Sequence, residues 1–390
     1  MPLIIIWFFF AALLAGCQPH RTTPPTPPLN STDVAPIATL GPKGHVEYLG
    51  YTADEVHQVP LGDLMPTQKT LGGLQNDYKL GRWSVTPIKA FEALCESAGL
   101  RDKLAQYDER SRLSAPESFT CDAPRDKDGM VTLDQEGVPR LMDAINTVIV
   151  GPDGTLYLTD GHHTFSRFHD IAQRGINIPV VVRVEANWAF DKAHQRSNMA
   201  DFWRRMEDAH RAYLFDRGQA ILPSALPSDL GARSANNPTG LSNDDYRALV
   251  YFTRGIGWDK GAALAIPFLE YYWAEELRGT LQVTGQESLD EYVQLVLDAS
   301  KLMVSLPDDY PLGSSGKTAA ELGQLDVMAA TQQDLIETLV CEWDADKART
   351  GKLKLGKLGW AFYHRGTAIE DFPEPCNALS AYKQRYDLSH

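Results

Sequence analysis

The stretch Thr155–Asp170, TLYLTDGHHTFSRFHD, constrains this chain more than any other. Leu156, Tyr157 and Leu158 form a short apolar run of strand character that breaks at Asp160-Gly161. Phe165, Phe168, Ile171 and Ala172 then recur at helical spacing. Upstream, Gly151-Pro152-Asp153-Gly154 is a strong turn signal, so Thr147–Val150 and Thr155–Leu158 should pair as a hairpin leading into that helix. A strand that passes through a small acidic turn into a helix brings unpaired backbone N–H groups and the positive end of the helix dipole to one point. Such a junction is suited to holding an anion.

The surrounding pattern reads as α+β. Val46–Tyr51 and Val56–Val59 have strand character, Leu71-Gly72-Gly73 reads as a turn, and Pro87–Ala98 as a helix with proline in its first turn. Ala115–Gly129 is irregular and Val138–Asn146 a short helix. Gly175 stops the helix after the hairpin, and Val180–Val184 is a further strand. These elements give a small mixed sheet with helices rather than a run of βαβ units. From Trp188 the periodicity becomes helical, in Ala200–Phe215, Asn243–Gly255, Ile266–Arg278, Ser288–Leu302 and Thr331–Cys341, with no convincing strands. The expected organisation is a sheet-containing domain over 43–186 and an all-helical extension over 187–390.

The first 42 residues read differently. Residues 1–16, MPLIIIWFFFAALLAG, form an uncharged apolar run that is short for a membrane span. Leu14-Ala15-Gly16-Cys17 resembles the lipobox of bacterial lipoproteins, although the usual basic n-region is missing. That resemblance implies cleavage before Cys17, lipidation of Cys17, and a body held at the cell envelope, facing the periplasm or the exterior. Gln18 after the lipid-bearing cysteine is compatible with the outer membrane of a Gram-negative cell. Residues 17–42 are rich in proline and threonine and read as an extended tether. An envelope location is an oxidising one, and Cys95, Cys121, Cys341 and Cys376 then remain to pair. Three connectivities exist; the neighbourly one, Cys95–Cys121 with Cys341–Cys376, is favoured.

A net charge of -14 repels nucleic acid globally, so nucleic-acid chemistry would need a local basic patch. The two histidines at the junction are neighbours on a helix, about 100° apart, and cannot share one face. His163 shares a face with Arg167, and His162 with Ser166. One histidine can serve as a general acid or base near neutral pH while Asp160 orients it or caps the first turn.

The hairpin, the DGHHT segment and the helix resemble the domain shared by ParB partition proteins and sulfiredoxins. A motif at a helix N-terminus there holds nucleotide phosphate, and a proline-containing strand–loop forms the opposite wall. The counterpart of that wall here is Asp63–Gln68, with Pro66-Thr67-Gln68 and then Lys69. The chain resembles still more the putative ParB-like nuclease branch. This rests on the PTQ and DGHHT segments together with Ala200-Asp201-Phe202-Trp203, Asn243–Arg247 and Trp273-Ala274, in that order. Gly161-His162-His163-Thr164 departs from the Gly-Cys-His-Arg of sulfiredoxins and from the Gly-Glu-Arg-Arg of partition proteins. Sulfinic acid reduction and triphosphate binding by those arginines are thereby disfavoured. Gln68 stands where relatives that phosphorylate small molecules place an acidic base.

The candidate catalytic residues are therefore His163, His162 and Asp160. The candidate phosphate- or substrate-binding residues are Pro66, Thr67, Gln68, Lys69, Gly161, Thr164 and Arg167, with Lys79 as a further cation. The cofactor stays open; a divalent metal is admissible, held by Asp160 with His162 or His163 and completed from afar by His57 or His364. The leading expectation is a phosphoester hydrolase, with a nuclease among its forms and a phosphate-containing ligand or nucleic acid as partner. The alternative is a non-catalytic envelope lipoprotein that binds a nucleotide, another anion or a protein.

Overall fold

A computed structural model describes residues 39–172, 175–261, 266–341, 355–373 and 376. The leader, Cys17 and nearly all of the tether lie outside the described residues. Five strands form the main sheet: β1 (Val56–Pro60), β2 (Leu64–Pro66), β3 (Thr147–Val150), β4 (Leu156–Leu158) and β5 (Pro179–Asn187). Their order is β1-β5-β3-β4-β2. The hairpin β3–β4 is antiparallel, while β2 runs parallel to β4 and β5 parallel to β3. The PTQ segment thus enters as the edge strand beside β4, with Pro66 opposite Leu158.

Both faces of the sheet are covered, which explains the unbroken apolar run in β3. Val148 and Val150 pack with Leu158, Phe165 and Phe168 beneath the helix α3 (His162–Ile171). Ile149 and Tyr157 point the other way, against Phe202 and Met206 of α4 (Met199–Asp208). Arg183 and Glu185 lie on β5, beside Thr147 at the sheet end that meets the start of α3.

Helices α1 (Gly73–Val85) and α2 (Ile88–Ser97) follow the PTQ segment. The part after Trp188 is helical: α5 (Asp245–Phe252), α6 (Leu269–Thr280), α7 (Leu289–Ser305), α8 (Gln332–Leu335) and α9 (Lys357–His364) share one core with Leu74 and Tyr78 of α1. Gly81 sits where α1 meets α9; a Cβ there would lie 2.3 Å from the carbonyl oxygen of Trp360. The two parts are also joined by a two-residue parallel ladder, Ser242–Asn243 against Thr70–Leu71. The helix that the periodicity reads as continuing to Phe215 ends at Asp208, and a second two-residue pair, Phe215–Asp216 with Gln219–Ala220, follows it.

Three further local expectations differ from the structure. Glu47–Gly50 is a 3₁₀ turn, not a strand. Val138–Asn146 holds a short strand and a 3₁₀ turn in place of a helix, because Pro139 pairs with Leu133. Gly72-Gly73 opens α1 and is no simple turn. Both expected disulfides are present, Cys95–Cys121 and Cys341–Cys376, with Cα–Cα distances of 5.6 and 5.5 Å. Among the described residues no helix is long and apolar enough to cross a membrane.

Candidate functional site

A cavity of about 630 Å³ opens at the start of α3. That start is made by Gly161, whose φ of +89° turns the chain from β4 into the helix. A side chain there would be strained, and its Cβ would lie 2.3 Å from the Asn146 side chain. No side chain caps the helix. Asp160 accepts instead from the N–H of Gly161, at 2.7 Å, and is exposed at the lip of the cavity. The first-turn N–H groups of α3 have no intrahelical acceptor, and His162, His163 and Thr164, which carry them, line the cavity.

The two histidines act as acceptors toward two different backbone segments. His162 Nε2 takes the N–H of Thr67 at 3.0 Å, and His163 Nε2 takes the N–H of Gly72 at 3.0 Å. Each ring is therefore neutral, with its proton on Nδ1. Burial lowers His162 to about 3, and burial together with Arg247 and Arg167 pushes His163 well below the usual histidine range. The 100° offset between the rings lets one residue hold the PTQ segment and the other hold the start of α1.

Of the residues singled out in the sequence, Gln68, Asp160, Gly161, His162, His163, Thr164 and Arg167 line the cavity, and Pro66, Thr67 and Lys69 do not. Pro66 is spent in the strand pairing with Leu158, and Thr67 is fully buried with its hydroxyl donating to the Leu158 carbonyl at 2.6 Å. Lys69 turns away and donates to the Ala225 carbonyl at 2.7 Å. Lys79 lies over the Tyr78 ring, and burial lowers it to about 8. Gln68 donates to the Thr70 carbonyl and to the Tyr271 hydroxyl, at 2.8 and 2.9 Å. Among the described residues no group of three or more His, Cys, Asp or Glu side chains is placed to hold a metal. His57 instead stacks on Tyr51 and pairs with Glu55.

The rest of the lining comes from the helical part, and its charge is the main surprise. Arg247 of α5, Arg254 and Lys260 converge on Glu270 of α6, at 3.6, 2.6 and 3.6 Å. Burial alone would raise the Glu270 carboxyl, yet these three cations hold it at about 2. Arg167 joins them from α3 with no carboxylate partner among the described residues; it donates to the Thr164 hydroxyl at 2.9 Å and lies against Trp83. The Nε–H groups of Arg167, Arg247 and Arg254 are buried and unpartnered. Tyr251, Phe268 and Tyr271 add aromatic surface on the same wall. Phe268 begins α6 with a φ of +57°, a backbone state uncommon for an aromatic residue.

A family model described as putative ParB-like nuclease matches residues 57–279. The chain belongs to the putative ParB-like nuclease family. The matched span of this ParB-like chain reaches from β1 to the end of α6 and so contains the whole cavity lining. Among solved structures, the crystal structure of protein Atu1540 from Agrobacterium tumefaciens is similar at 18% identity and a TM-score of 0.39. That similarity covers 64% of this chain and 90% of that chain. No curated protein matches.

Proposed function

We propose that the cavity at the start of α3 binds a phosphate ester. The observation that carries this reading is the set of three guanidinium groups, of buried Arg167 and Arg247 and half-buried Arg254, whose Nε–H donors are buried and unpartnered, beside an uncapped helix N-terminus. A buried cation without a carboxylate, as Arg167 is among the described residues, is costly to a fold, and an anionic ligand relieves that cost. The volume falls in the range of small-molecule sites, and a planar group attached to the phosphate would meet Tyr251, Phe268 and Tyr271. In this reading His162 and His163 position backbone segments and do not shuttle protons. A thermal-shift and calorimetric series with phosphate, methyl phosphate and nucleoside monophosphates tests it. Stabilisation that disappears in Arg167→Met supports the reading; no binding by any of them at millimolar concentration overturns it.

Hydrolysis of the bound ester is the second reading, favoured by Asp160 and by the family to which the chain belongs. The exposed Asp160 carboxylate stands at the cavity lip beside the first-turn N–H groups. There it can take a proton from a water attacking phosphorus, while the arginines stabilise the charge that builds on the phosphoryl oxygens. The P–O ester bond breaks, and the leaving alkoxide takes its proton from solvent, because a neutral His163 is too weak an acid. Turnover of p-nitrophenyl esters and of single-stranded nucleic acid tests this step. Asp160→Asn should abolish turnover and keep binding; unchanged turnover in that variant would exclude Asp160 as the base. We place the protein at the cell envelope, on the strength of its lipobox-like leader and its two disulfides.

A further inference from the structure

We propose that Glu270 sets the charge this cavity accepts: the surplus of cations on one wall favours a terminal phosphate over the singly charged phosphate of an internal diester, and Glu270, their resident counter-anion, limits how steep that preference is. The proposal rests on the phosphate-binding reading above and sharpens it. The charges around the cavity are unevenly placed. At the sheet end, Arg183 and Arg211 stand with Glu185 and Asp160, and Arg211 is paired directly with Glu185. That end is balanced. On the wall built by α3, α5, the segment after α5 and α6, Arg247, Arg254 and Lys260 share the carboxylate of Glu270, and Arg167 stands beside them without one among the described residues. Three positive charges are left over among the described residues. Arg167 and Arg247 are more than nine-tenths buried, so bulk water does little to screen them.

An internal phosphodiester carries one negative charge and offsets a third of that excess. A terminal phosphomonoester carries close to two at neutral pH, and a diphosphate more. The wall therefore matches a chain end or a mononucleotide-like ester, and a cavity of about 630 Å³ suits a ligand with an end. Glu270 decides the count. Its oxygens sit 2.6 Å from Arg254 and 3.6 Å from Arg247, among the donors that a ligand's oxygens would use. With a neutral residue in its place the excess becomes four, and affinity should rise most for the most highly charged ligand. The residue that tunes the site thus comes from the helical part and is absent from the strand–DGHHT–helix motif itself.

The experiment is calorimetric titration of the whole folded chain with dimethyl phosphate, methyl phosphate and pyrophosphate, at pH 7.5 and constant low ionic strength. Affinity should climb by about tenfold or more with each added charge. Glu270→Gln should steepen that series, raising pyrophosphate affinity by a larger factor than dimethyl phosphate affinity. Dimethyl phosphate binding as tightly as methyl phosphate would overturn the proposal. So would a Glu270→Gln protein that binds all three more weakly by a common factor, which is the behaviour of a residue that only positions the arginines. Should that variant not fold, Lys260→Gln, which lowers the excess from three to two, should flatten the same series, and an unchanged slope overturns the proposal. Binding of none of the three overturns the phosphate-binding reading itself, an outcome distinct from a flat series.

Discussion

Replacing Arg167 by methionine separates what this residue does for the fold from what it does for a ligand. Its guanidinium is buried without a carboxylate partner among the described residues, and burial lowers it to about 10. Against the usual arginine value, that drop corresponds to a penalty of about 3 kcal/mol on the charged form. Two favourable contacts offset part of it: the hydrogen bond to Thr164 contributes about 1 kcal/mol and the stacking on Trp83 about the same. Methionine fills similar space with no charge to desolvate. The variant should therefore be more stable than the wild type, by about 1 kcal/mol, in urea unfolding without added anion. Phosphate should stabilise the wild type and leave the variant unmoved, because a charge-assisted hydrogen bond of about 1.5–3 kcal/mol is gone. A variant destabilised by more than about 1 kcal/mol, or one that binds phosphate as well as the wild type, would refute the reasoning.

His162, held at about 3 in the folded protein, stabilises the fold only while neutral. Its contribution is complete above the unfolded value near 6.5 and is lost as pH falls toward 3, about 3 kcal/mol of it by pH 4. His162→Leu should cost about 1–3 kcal/mol at pH 7 by orphaning the Thr67 N–H, and the gap to wild type should narrow at pH 4; a constant gap would contradict this. Removing the 26-residue cross-link with a Cys95→Ser, Cys121→Ser protein should lower stability by about 3–4 kcal/mol in non-reducing urea denaturation. Gly81→Ala should destabilise by about 1–3 kcal/mol, although alanine is the better helix former, since its Cβ would press on the Trp360 carbonyl; a gain in thermal stability would show that α1 and α9 can separate there.

The hairpin and α3 are legible in the sequence because a four-residue turn signal and a clean helical spacing coincide there. α1 is not, since its first residues are Gly72 and Gly73 and no side chain marks its N-cap. The sequence directs attention to Gly161–Arg167, and a cavity opens there. It misleads at Thr67 and Lys69, where a residue's chemistry is visible but not the direction it faces. The larger omission is the wall from the helical part. Arg247 and Arg254 are seven residues apart, two turns on a helix, which would place two cations on one face; that spacing was the available signal. Nothing local marks Glu270, whose role arises only when α5 and α6 meet. The adjacent histidines carry a further lesson. A pair that cannot share a face suggests one working residue and one bystander, whereas each holds a separate backbone segment.

Occupation of the cavity at the start of α3 by an anion is the central claim. The most direct measurement is a crystal structure of the chain grown with tungstate, a phosphate analogue that anomalous scattering locates without ambiguity. We expect the tungstate oxygens within about 3 Å of the Arg167 guanidinium and of the first-turn N–H groups of α3. Tungstate bound elsewhere on the protein, with this cavity open and water-filled, would contradict the central claim.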